Sequence, residues 1–262
     1  MRLLGILLTA ILLLGCSSTS SRNRLKLRVG VTPVPAGEVL AEVVPLLKAQ
    51  GIEVELVSFT DYIQPNLALA AGDLDANLYQ NVPFLEQFNR DRGTRFVAVR
   101  RIYLPPMGVY AGRAASFSQL SAQPVVAIPN DPTNLGRALL VLQAAGLIRL
   151  KPASGVAATV QDIIENPRHL QIRELEAAQI PRALPDVDIA VINANYALDA
   201  GLNPLRDALF YEKDVSGYAN VLAVNAGQEN DTRIQALAAA LTSAPIRQFI
   251  QTRYKGAVVP IS

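Results

Sequence analysis

Side chains that trade protons, attack carbonyls or ligate metals are scarce in this chain, which has one histidine (His169), one cysteine (Cys16) and no tryptophan. A hydrolytic triad needs a base beside its nucleophile. His169 sits in the turn signal Asn166-Pro167-Arg168-His169, and no GxSxG elbow occurs. We read it as a solvated turn residue. His/Cys clusters with metal-ligand spacing, a Walker A loop and a dinucleotide fingerprint are all missing. No metal, no cofactor and no catalytic residue are therefore expected. Asp73 and Asp75 are read as structural carboxylates.

What remains is a set of groups suited to holding a ligand by polarity and shape. Arg137 follows the loop Asn130–Asn134 and falls in the first turn of a helix predicted over Leu135–Ala145. A guanidinium there forks onto a carboxylate, with the helix N-terminus adding positive potential. Asn193 closes the apolar run Ile189–Ile192, and Asn220 lies in Tyr218-Ala219-Asn220. Their amide oxygens can accept from an ammonium group without contributing charge. Asp61, Tyr62 and the Tyr79–Phe84 stretch add aromatic and neutral polar surface. Together these groups suit a zwitterion with a moderately apolar tail. Taken singly, the asparagines also fit as turn caps and Arg137 as a surface ion partner.

The elements that would position these groups follow an α/β pattern of mostly parallel strands. Strands are predicted at Leu25–Val31, Ile52–Phe59 and Leu74–Leu78, separated by helices at Glu38–Gln50 and Tyr62–Ala71 that end at Gly51 and Gly72. A second set follows the turn-rich Leu104–Gly108: strand Val125–Ile128, the Arg137 helix, a helix over Thr159–Glu165, strand Leu170–Leu175, helix Ala177–Ala183 and strand Ile189–Ile192. Strand Tyr218–Val224 and helix Asp231–Ala240 should return to the first set. The expected organisation is a discontinuous first lobe, residues 25–109 and 217–262, and a second lobe, residues 110–216. In open α/β sheets ligands bind beyond the carboxyl ends of strands. The loops after Val31, Leu78, Ile128 and Ile192 should therefore face a cleft between the lobes.

Ahead of the lobes, Arg2 precedes the apolar run Leu3–Leu14, and Gly15 stands directly before Cys16. Such a run is short of the about 17–25 residues needed to span a bilayer. It reads as a signal peptide over residues 1–15 ending in a lipobox, with Cys16 acylated and anchoring the chain to a membrane, facing outward. Residues 16–24 form a polar tether. Half of the 262 residues are apolar and 18% charged, enough for a sizeable core. With 24 basic against 22 acidic residues, no field favours a nucleic-acid partner.

Three long segments carry a family resemblance: Asp61–Phe88 (DYIQPNLALAAGDLDANLYQNVPFLEQF), Val126–Lys151 (VAIPNDPTNLGRALLVLQAAGLIRLK) and Glu165–Leu202. In motif order, from Leu27 onward and including Tyr218-Ala219-Asn220-Val221, the chain resembles the methionine-binding lipoproteins of the NlpA family. The resemblance implies a periplasmic-binding-protein fold, type II-like, whose two lobes hinge closed on the ligand. It implies a lipid-anchored solute-binding subunit that delivers methionine to an ABC permease and its ATPase, in the cell envelope. Arg137 of NLGRALL then matches the arginine holding the amino acid carboxylate. Asn193 of AVINANY and Asn220 of YANV match the asparagines holding the ammonium, and Tyr62 and Tyr79 match positions that wrap the side chain. Two departures lie at the tail end: where the family pattern is QHxPY, this chain has Gln80-Asn81-Val82-Pro83-Phe84. Asn81 and Phe84 thus leave open a D-isomer, a sulfoxide or a short methionyl peptide. The alternative is an envelope lipoprotein that serves as an interaction module without an amino acid ligand.

Overall fold

The computed structural model describes residues 25–214 and 216–261. The expected leader, tether and Cys16 lie outside the described residues. The chain runs β1 (Lys26–Val31), α1 (Glu38–Lys48), β2 (Glu53–Ser58), α2 (Gln64–Ala71), β3 (Ala76–Asn81), α3 (Val82–Arg92) and β4 (Phe96–Leu104). It continues through β5 (Gly108–Ala111), β6 (Val125–Pro129), α4 (Pro132–Ala144), β7 (Arg149–Leu150), β8 (Ile163–Glu165), β9 (Gln171–Leu175), α5 (Ile180–Ala183), β10 (Ile189–Ile192), α6 (Ala194–Asp199) and β11 (Ala208–Tyr211). It ends with β12 (Asn220–Asn225), α7 (Thr232–Leu241), α8 (Ala244–Tyr254) and β13 (Val259–Pro260).

Two principal sheets result. One has the order β13-β4-β12-β3-β1-β2, the other β11-β5-β10-β6-β9. β1 runs parallel to β2 and β3, and β6 parallel to β9 and β10, as the helical crossovers between them require. β12, β4 and β5 add antiparallel pairings. Alternation explains β1: Leu27, Val29 and Val31 are fully buried while Arg28 is exposed. Each sheet has apolar clusters packed against it, and the chain passes from one sheet to the other in the segments 105–107 and 212–219. No helix among the described residues is long and apolar enough to cross a membrane.

Several elements depart from the periodicity. The Thr159–Glu165 segment expected to be a helix is a single turn, Val160–Asp162, leading into β8, which pairs antiparallel with β7. The Asp162 carboxylate accepts from Thr159 N and Oγ1 at 2.9 Å, fixing the turn, and β-branched Ile163 and Ile164 favour the strand that follows. The third strand runs over Ala76–Asn81 and not Leu74–Leu78, because β12 pairs with it as far as Asn81. The loop expected after Leu78 is therefore absent, and α3 begins directly at Val82 with Asn81 as its cap. α4 begins three residues early, at Pro132: Asp131 accepts from Asn134 N, and a proline without an N–H fits the first helical position. Arg137 consequently lies in the second turn and not the first, where the terminal potential has largely fallen away.

A candidate ligand site between two sheets

All seven ligand-site candidates, Tyr62, Tyr79, Asn81, Phe84, Arg137, Asn193 and Asn220, line one cavity. It also receives Gln80, Pro105, Asn134, Ala194 and Asn195. Asp61 lies at a neighbouring opening of the cleft, and His169 is exposed in its turn, with its N–H bonded to Asn166 O. Among the described residues no cluster of His, Cys, Asp or Glu could hold a metal ion.

Local folding places each group. Tyr79, Gln80 and Asn81 end the fully buried β3, whose Asn77 and Gln80 side chains are satisfied by the Asn66 carboxamide on α2 and by each other. Asn66 Nδ2 donates to Gln80 Oε1 at 3.0 Å, Asn77 Nδ2 to Asn66 Oδ1 at 2.9 Å, and Gln80 Nε2 to Asn77 Oδ1 at 2.9 Å. This network ties α2 to the strand, and Tyr79 Oη extends the tie to Tyr62 O at 2.8 Å. Tyr62, Tyr79 and Phe84 form an aromatic wall with centroids 5.8–6.1 Å apart. Burial pushes the Tyr62 and Tyr79 phenols well above their ordinary range, so both stay protonated as donors.

Arg137 is only 3% exposed. Its Nε donates to both Glu212 oxygens at 2.9 and 3.1 Å, and its Nη2 donates to Glu212 Oε2 at 2.5 Å and to Pro105 O at 2.9 Å. Its Cζ lies 4.1 Å from the Tyr218 ring centroid. Glu212 Oε2 also accepts from Met107 N at 2.8 Å. The guanidinium is thus held by residues of both inter-sheet connections. Among the described residues its Nη1 has no protein partner, which leaves that edge for a carboxylate.

The two asparagines present acceptors. Asn193 is the N-cap residue of α6, yet its side chain makes no cap bond. Its Nδ2 donates to Asn134 Oδ1 at 2.8 Å, and its Oδ1 is buried without a partner. An unpaired acceptor inside a protein is costly, and here it lines a cavity. Asn220 starts β12, and its Nδ2 donates to Tyr79 O at 2.9 Å and Tyr103 Oη at 3.3 Å. No described residue donates to its Oδ1. Asn81 is partly committed elsewhere, with Oδ1 capping α3 through Phe84 N at 3.0 Å.

The two sheets meet across this cavity. Tyr62 Oη donates to Asn195 Oδ1 at 2.5 Å, Tyr196 Oη donates to Thr60 O at 3.1 Å, and the rings of Tyr62 and Tyr196 lie 5.0 Å apart. Two α/β lobes on two connections, closed over a polar and aromatic cavity, define the two-lobed periplasmic-binding-protein class.

Within that class the chain belongs to the NlpA lipoprotein family, whose model matches residues 27–262. It is 39% identical over 259 residues to the D-methionine-binding lipoprotein MetQ of Escherichia coli K12, covering 97% of this chain and 95% of that one. A nutrient binding protein from Burkholderia cenocepacia, solved bound to methionine, superposes with a TM-score of 0.87 at 42% identity, over 90% of this chain and 100% of that one. An ABC transporter periplasmic substrate-binding protein from Coxiella burnetii gives 0.85 at 40% identity, over 90% and 100% respectively.

The residues that sequence reasoning missed are instructive. Asn134 read as the end of a loop, and Asn195, two positions past Asn193, carried no signal of its own. Glu212, 75 positions from Arg137, stands in an ordinary charged run with no motif to mark it.

Proposed function

We propose that this chain is the solute-binding subunit of an ABC uptake system for methionine or a close analogue, held at a membrane of the cell envelope by an acylated Cys16. One observation carries the ligand class: a buried guanidinium with one free edge and a buried carboxamide oxygen without a partner line the same aromatic-walled cavity. A free amino acid supplies the complementary groups, with its carboxylate on Arg137 and its ammonium on Asn193 and Asn220. Tyr62, Tyr79 and Phe84 enclose an apolar tail, and a thioether gains about 0.3–1.5 kcal/mol per sulfur–aromatic contact. The names of the Escherichia coli relative and the Burkholderia structure support methionine, and the Coxiella neighbour supports delivery to a permease and ATPase. Binding and release complete the task, with no covalent step. A ligand that touches both lobes selects the closed arrangement.

The test is calorimetry with L-methionine, D-methionine, methionine sulfoxide and a methionyl dipeptide, alongside mass spectrometry of any small molecule released on denaturation. Saturating binding of at least one is expected. A ligand at about 100 times its Kd adds about 2.7 kcal/mol of apparent stability, so a melting temperature unmoved by every one of them would favour the interaction-module alternative.

A further inference from the structure

The acceptor at the ammonium end of the cavity is set by a residue that does not line it. Asp131 caps α4, its Oδ1 accepting from Asn134 N at 3.0 Å and from Thr133 Oγ1 at 3.2 Å. Both of its oxygens also accept from Asn134 Nδ2, each at 3.0 Å. An ionised carboxylate accepts and never donates, so it dictates that Asn134 meets it through nitrogen. The amide is planar with its donor and acceptor on opposite arms, so Asn134 Oδ1 turns away, and it accepts from Asn193 Nδ2 at 2.8 Å. Asn193 then has only Oδ1 left to present, the buried atom without a protein partner, on a residue that is 7% exposed and lines the cavity.

We infer that Asp131 makes the cavity selective for ammonium-bearing ligands through two carboxamides in series, Asn134 and Asn193, which carry its polarity to the ligand. This rests on the amino acid reading above and adds a positioning residue to it. Two effects act together. The acceptor-only carboxylate fixes both amide orientations, so an oxygen and not an NH₂ faces the ligand. The aligned dipoles also polarise one another where the dielectric is low, so some of the carboxylate's attraction is felt at Asn193 Oδ1. The arrangement also explains why, among the described residues, no carboxylate lines the cavity. Glu212 already neutralises Arg137, and a further buried anion would be uncompensated whenever no ammonium was bound. Asp131 sits outside the cavity, half-buried on a neighbouring opening of the cleft, where burial raises its carboxyl above the ordinary aspartate value and the bonds from Asn134 and Thr133 oppose that shift.

The experiment compares calorimetric affinities for L-methionine and for methylthiobutanoate, the same molecule without its amino group, in the unaltered chain, Asp131→Asn and Asn134→Ala. Asparagine caps helices as well as aspartate, so Asp131→Asn should fold. If its ligand-free melting temperature falls, Asn134→Ala decides, because it leaves the capping carboxylate in place. We expect both variants to lose about tenfold or more in methionine affinity. The des-amino acid should change by less than about threefold, collapsing the ratio between the two ligands. If Asp131 is a helix cap only, Asp131→Asn leaves both affinities unchanged or lowers both equally, and either result overturns the inference. Methionine binding with an unmoved ratio in both variants overturns the relay alone. Failure of the unaltered chain to bind methionine overturns the amino acid reading with it.

Discussion

Arg137 is a buried cation before it is a ligand group, and its partner decides what can be learned by mutating it. Glu212 is 10% exposed at its side chain and shares two oxygens among Arg137 Nε, Arg137 Nη2 and Met107 N. Removing one member of such a pair strands the other charge in a poorly solvated place. Glu212→Ala should therefore lower the unfolding free energy by about 3–5 kcal/mol, read from urea denaturation of the ligand-free protein; a loss under about 1 kcal/mol would show that water reaches the guanidinium. Arg137→Lys separates the two roles. Lysine keeps the charge opposite Glu212 but cannot fork onto Glu212 and a ligand carboxylate at once. It should unfold near the parent midpoint while binding methionine about tenfold or more weakly. At this scale the sequence was legible where a residue sat at a strand end, as for Asn193 and Asn220, or in the helix that follows one, as for Arg137. It was mute for Glu212 and Asn134, because no local pattern shows that a residue far along the chain will supply a counter-charge or an amide partner.

Elements were legible where a buried face imposed a period, as in α1 and β1, or where a short apolar run stood out, as in β10, and were misread where polar residues are buried or caps override periodicity. β3 is the clearest instance, since Gln80 and Asn81 resemble a loop but are held inside by α2 and β12. Helix α4 shows the cost of judging an element by propensity alone. Gly136 lies inside it, where alanine would ordinarily be favoured by about 1 kcal/mol. A Cβ there, however, would stand 2.1 Å from Val156 O and 2.7 Å from Val156 C, in the 3₁₀ turn Gly155–Ala157 packed against the helix. Gly136→Ala should therefore destabilise the protein by about 1–3 kcal/mol, with a lowered thermal midpoint as the readout and a raised one as the contrary result. The α1–α8 contact supplies a pH-dependent tie. Glu38 accepts from Arg253 Nε and Nη2 at 2.9 and 2.7 Å and from Tyr254 Oη at 2.6 Å, and these bonds, the arginine's foremost, hold its carboxyl below the ordinary glutamate value. A carboxyl lowered by folding binds fewer protons in the native state than in the unfolded one. Its contribution is complete above the unfolded value of about 4.3 and is lost as pH falls through the folded value. Glu38→Gln should accordingly flatten the acid limb of the melting-temperature profile below about pH 4.3, leaving an unchanged acid slope as the refuting outcome.

At the scale of the whole molecule, closure must be weak enough to release ligand, so the interlobe bonds should matter by fractions of the total binding energy. Two tyrosine hydroxyls cross the cleft, Tyr62 to Asn195 and Tyr196 to Thr60, and the two rings pack against each other behind them. Tyr62 lines the ligand cavity, so its mutation confounds contact with closure. Tyr196 does not line it, and its side chain bears on two openings of the cleft instead. Tyr196→Phe keeps the ring and deletes one hydrogen bond made only when the lobes meet, a net loss of about 0.5–1.5 kcal/mol. Because ligand affinity includes the closing equilibrium, Kd for methionine should rise by about 2- to 13-fold through that bond alone. The loss should appear in the dissociation rate, since a bond formed after encounter holds the closed complex together without guiding the ligand in. Small-angle scattering should show a larger radius of gyration for the ligand-free variant than for the parent, with the two converging at saturating methionine. Equal radii without ligand together with an unchanged dissociation rate would place the closing free energy elsewhere, in Tyr62 and the residues at the two connections, and would leave the Tyr196 hydroxyl with no part in capture.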